Sequence, residues 1–82
     1  MFTSVCTLAR EFDTRRRVVA MNLLEYLNDR NVYVRNSAAF NLGRLRVAGA
    51  EVIPQLERLL TDEDSMVRQT ARHAIERLAH VP

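Results

Sequence analysis

A period of 33 residues constrains this chain more than any other property. Shifting the sequence by 33 positions superimposes Leu23 on Leu56, Leu27 on Leu60, Asp29 on Asp62, Val34 on Val67, Arg35 on Arg68, Ala38 on Ala71, Arg44 on Arg77 and Leu45 on Leu78, with no gap. Eight identities in 23 consecutive positions are hard to attribute to chance. Self-similarity at a period of about 20 to 50 residues marks architectures in which one unit cannot bury its apolar face alone and stacks on its neighbour. The 82 residues hold two such units and a remainder.

Within each unit the apolar residues follow a helical turn. Val52, Ile53, Leu56, Leu59 and Leu60 fall on one side at 3.6-residue spacing, with Glu57 and Arg58 opposite. Pro54 belongs in the first turn of that helix, where its missing N–H costs no hydrogen bond. A second helix carries Val67, Ala71, Ala74, Ile75 and Leu78, with Asp64 and Ser65 as N-cap candidates. Its counterpart carries Val34, Ala38, Leu42 and Leu45, entered from Asn31. Small alanines on these faces let neighbouring helices approach closely. Val5, Leu8, Ala9 and Phe12 suggest one more helix ahead of the first pair. The spacing therefore predicts an all-α chain of five helices, over about 3 to 12, 16 to 28, 32 to 46, 50 to 61 and 65 to 79. One domain, 1–82, divides into an N-terminal capping segment over 1–14 and repeats over 15–47 and 48–80.

Composition narrows the classes of function. A chain this short buries about 60 to 65% of its unfolded surface, which leaves little room for an enclosed active site. The single Cys6 forms no internal disulfide and fits a reducing compartment, the cytoplasm by default. The start "MFTSVCTLAREF" interrupts its apolar residues with Arg10 and Glu11, unlike a signal peptide or a membrane span. Phosphate-loop glycines and closely spaced histidines are absent, so no enzyme, metal or cofactor is expected. His73 and His80 lie seven apart, too far for a one-turn metal pair. All twelve basic residues are arginines, yet the net charge is only +2, so nucleic-acid binding through phosphates has weak support.

The stretch "VIPQLERLLTDEDSMVRQTARHAI" resembles the HEAT-repeat family, particularly the short repeats of phycobiliprotein lyase-like proteins with their "VxPxLxxLLxDxDxxVRxxAxxAL" pattern. The resemblance covers about Val18 to Ala79; in the earlier unit Met21 replaces the proline and Arg30-Asn31 replaces the second half of "DxD". It implies a short right-handed α-solenoid of antiparallel helical hairpins. It also implies that the Asp closing one helix braces the Arg opening the next, here Asp29 with Arg35 and Asp62 with Arg68. Adjoining repeats would stack these pairs into a ladder.

Solenoids bind partners along the surface of their second helices. Opposite the apolar stripe of residues 32 to 46 lie Asn36, Ala39, Phe40 and Gly43, with Arg44 at the margin. The 33-residue shift adds Gln69, Arg72, His73, Glu76 and Arg77. A protein partner contacting Asn36, Phe40, Arg44, Gln69, Arg72, His73 and Arg77 is the expectation, and Phe40 is its most informative member. Val18, Met21 and Leu24 replace the Glu51, Pro54 and Glu57 of the later unit, which makes the 16 to 28 helix apolar around most of its circumference. Self-association or a place in a larger assembly would cover it. The family's lyase members imply a contrasting role as accessory subunit in a phycobilin-handling system. Arg15-Arg16-Arg17 reads as a basic turn preceding a helix, where positive charge opposes the helix dipole.

Overall fold

A computed structural model describes residues 3–46 and 51–79, with side chains from residue 14 onward. The described chain is all-helical: α1 (Thr3–Tyr26), α2 (Val32–Leu45), α3 (Val52–Arg58), a 3₁₀ turn (Leu59–Thr61) and α4 (Ser65–Ala79). Two hairpins, α1–α2 and α3–α4, stack chiefly through α2 on α4. Leu27, Leu42, Leu56 and Val67 are fully buried between them. Each such side chain stabilises the fold by about 1.5 to 3 kcal/mol relative to exposure. No described helix is long and apolar enough to cross a membrane.

Two expectations are corrected. The helices expected over 3 to 12 and 16 to 28 are one continuous α1 of 24 residues. Asp13-Thr14 resembles a cap, but with no glycine or proline nearby these residues cost only about 0.7 kcal/mol each inside a helix, and arginines propagate it well. Arg15 to Arg17 are therefore mid-helical, away from the dipole's positive end, and Arg16 donates to the carbonyl of Leu45 at the end of α2. A guanidinium is well placed there, beside carbonyls the helix leaves unpaired. The second correction concerns Leu60, expected in the core but 39% exposed. The tightening from α-helix to 3₁₀ turn after Arg58 buries Leu59 and turns its neighbour outward. Cys6, His80 and the apolar residues before Asp13 lie outside the described side chains.

The corners between helices repeat the same hydrogen-bonding pattern. Asp29 Oδ1 accepts the Asn31 N–H at 2.8 Å, and Asp62 Oδ2 accepts the Asp64 N–H at 3.0 Å. Asn31 Oδ1 then accepts from Tyr33 N at 2.8 Å, while Asp64 Oδ1 accepts from Met66 N and Val67 N at 2.9 and 3.1 Å. The first residue closes a side-chain turn and the second caps the next helix, so Asn31 serves as well as an aspartate. Asp64→Ala is expected to lower the unfolding free energy by about 1 kcal/mol. Urea titration of the two proteins checks this, and an unchanged midpoint would remove the cap from the account.

Candidate functional site

Arginine side chains on a helix lean toward its N-terminus, so Arg35 and Arg68 point back at the corners they follow. Arg35 Nη1 donates to the carbonyls of Asp29 and Arg30 at 2.8 and 3.1 Å, and Arg68 Nη1 donates to the carbonyl of Asp62 at 2.6 Å. Within a repeat, then, the arginine holds the backbone of its aspartate. The carboxylate pairings expected between Asp29 and Arg35, and between Asp62 and Arg68, do not form, because each carboxylate is turned onto the N–H two residues ahead.

The charge pair runs between repeats instead. Arg35 Nη2 donates to Asp62 Oδ2 at 3.3 Å, and Nε lies 3.1 Å from Oδ1, near enough for attraction though misaligned for a hydrogen bond. Both side chains are about nine-tenths buried, at 10% and 11% exposure. Glu63, 3.6 Å from Nη2 but 87% exposed, adds little through water. Arg35 thus joins the corner of the first hairpin to that of the second.

On the second-helix surface, α2 and α4 enclose an open groove of about 500 Å³. Gly43 and Ala74 form its floor, with Phe40 on α2 and His73, Glu76 and Arg77 on α4 around it. The floor is smooth because α4 lies directly on Gly43, where a Cβ would meet Ala74 Cα at 2.9 Å. Phe40 is 52% exposed, and the Arg44 guanidinium carbon lies 5.7 Å from its ring centroid. Such a contact at an exposed site contributes about 0.5 to 1 kcal/mol. Further along, Thr70 Oγ1 donates to Asn36 Oδ1 at 2.6 Å and ties the two helices.

The structure divides the expected contact residues. Phe40, His73 and Arg77 share the groove, Arg44 borders it, and Asn36 is occupied by Thr70. Gln69 and Arg72 are exposed but do not line it. Their counterparts Asn36 and Ala39 face α4, so one repeat later the same helix positions face outward from the end of the stack. Ala39 and Gly43 are buried in the helix contact, contrary to their expected place on the open surface. Their spacing of four, one helical turn with two small residues, was the available signal for close approach. Val18 and Met21 are 52% and 63% exposed, whereas Leu24 packs partly against the core. Among the described residues no three His, Cys, Asp or Glu side chains converge to hold a metal.

Stacked helical hairpins with a recurring acid–arginine corner define a helical-repeat protein whose second helices form a continuous surface. A family model for HEAT repeats matches residues 12–81, and the chain belongs to that family. The match is to HEAT repeats in general and assigns no subgroup. No curated protein and no solved structure gives a match.

Proposed function

We propose that this chain is a non-catalytic interaction module that binds a protein segment in the α2–α4 groove. HEAT repeats generally mediate protein–protein contacts or scaffolding, and the observation that carries the reading here is the half-exposed Phe40 beside that groove. An aromatic ring backed by a guanidinium, over a smooth floor of Gly43 and Ala74, suits an apolar side chain of a partner. Arg77 and Arg44 can receive carboxylates flanking it. Arg16, Arg35 and Arg68 are committed to carbonyls and a carboxylate within the fold, which removes them as phosphate contacts. Val18 and Met21, apolar and exposed, are where we place self-association. The cytoplasm is the proposed setting, consistent with a lone cysteine.

Phe40→Ala and Arg77→Glu are expected each to reduce partner recovery by about 10-fold, as loss of a central anchor does. Both are exposed, so melting should stay within a few degrees of the unsubstituted protein. Affinity capture with quantitative mass spectrometry, run in parallel with thermal melts, separates the two effects. Equal recovery of the same proteins by both variants would discard the groove as the binding site.

A further inference from the structure

Along α1, Thr14, Val18, Met21 and Glu25 follow one another at steps of four, three and four residues and so form a single stripe. All four are exposed, while Ala20 and Leu27 on the opposite side are buried in the core. The exposure owes nothing to a missing neighbour. One period later, the positions of Val18, Met21 and Glu25 hold Glu51, Pro54 and Arg58, and these are exposed as well although a hairpin stacks beside them. The outer face is therefore open in both repeats, but its centre is apolar only in the first.

The stripe is also ordered by charge. Arg15 and Arg17, both exposed, flank its start at Thr14, while Arg16 between them turns inward to the Leu45 carbonyl. Val18 and Met21 occupy the middle, and Glu25 stands at the far end. A basic, an apolar and an acidic segment in that order complement a copy of themselves running the opposite way.

We propose that two copies of this chain pair through α1, antiparallel about a two-fold axis near Val19 and Ala20, an inference that rests on the self-association placed above at Val18 and Met21. In the register of antiparallel helices, Val18 of each copy packs on the partner's Met21, and the partner's Glu25 lies over Thr14. Arginine side chains lean toward the helix N-terminus, so Arg17 reaches back to the level of Thr14 and meets that carboxylate, with Arg15 on its other side. Symmetry repeats each contact, giving two apolar pairs and two ionic clusters. A parallel pair would instead set glutamate on glutamate and arginine on arginine. The contact runs for three helical turns, about 17 Å. That buries less than the roughly 1,200 Å² of a standard interface, so a dissociation constant of about 10 to 100 μM is expected.

Sedimentation equilibrium between about 10 μM and about 1 mM tests the pairing, with the unsubstituted chain shifting from monomer to dimer across that range. Met21→Glu should leave it monomeric throughout. Glu25→Arg, and separately Arg15→Glu with Arg17→Glu, should each weaken the dimer by at least about 10-fold, because like charges then meet at both ends. Mixed together, these two variants should associate as the parent does, and a chain carrying all three reversals should dimerise by itself. The substituted residues are exposed, so circular dichroism should be unchanged; were Met21→Glu to misfold, the charge series decides alone. An unsubstituted chain that stays monomeric at the highest concentration would overturn the proposal and the self-association beneath it, leaving the apolar patch to a different protein. A dimer abolished by Met21→Glu but indifferent to the charge reversals would keep the patch and overturn the antiparallel pairing. A dimer indifferent to every substitution would form elsewhere on the surface and overturn both.

Discussion

Arg35→Leu is expected to destabilise the fold by about 3 kcal/mol and to lower Tm by about 10 to 20 °C. The change leaves the Asp62 carboxylate, 11% exposed, with only the Asp64 N–H as partner. It also strips the carbonyls of Asp29 and Arg30 of their donor. Removing one member of a buried pair costs more than the pair contributes net, because the survivor stays desolvated. Replacing both, as in Arg35→Met with Asp62→Leu, is therefore expected to recover much of the loss, less the share due to the two carbonyls. Arg35→Lys should recover little, since one ammonium cannot reach two carbonyls and a carboxylate that the planar guanidinium spans. Chemical denaturation of these proteins, with the Arg35→Met and Asp62→Leu single variants beside the double, checks the series. Additive losses in the double variant, or an Arg35→Leu protein that melts like the parent, would remove the inter-repeat pair as a determinant of stability.

That pair shows what the sequence could and could not reveal. The importance of Arg35, Arg68, Asp29 and Asp62 follows from their recurrence at a fixed spacing. Which atoms meet does not, because an arginine six residues after an aspartate can reach its carboxylate, its carbonyl or the next repeat. The choice depends on how closely α2 approaches α4, and Gly43 and Ala39 set that distance. Helices α2 and α4 were legible because apolar periodicity and the caps at Asn31 and Asp64 agree. The fusion of α1 was not: Asp13-Thr14 carries the residue types of a cap, and only the small energetic difference between capping and continuing decides the outcome. In the candidate site, Phe40, His73 and Arg77 could be placed on one surface by helical spacing. The groove between them could not, since its floor joins Ala74 of the apolar stripe to Gly43, which spacing had assigned to the open side.

Gly43→Ala is the second large effect, and its sign is the informative part. In an exposed helix this substitution stabilises by about 0.5 to 1 kcal/mol, because alanine orders the backbone at lower entropic cost. Here the added methyl would stand 2.9 Å from Ala74 Cα and 3.0 Å from Ala74 Cβ. The first of those neighbours is backbone, so relief requires the two helices to separate. Overpacking of this kind costs about 1 to 3 kcal/mol and outweighs the propensity gain. Separation would also lengthen the reach from Arg35 to Asp62 and widen the groove under Phe40. Gly43→Ala and Arg35→Leu should therefore combine less than additively, because the first already weakens the contact that the second removes. Urea denaturation of the two single variants and their combination measures this directly. A Gly43→Ala protein more stable than its parent would show that α2 and α4 are not in close contact at this point, and the inter-repeat pair and the groove floor would have to be redrawn.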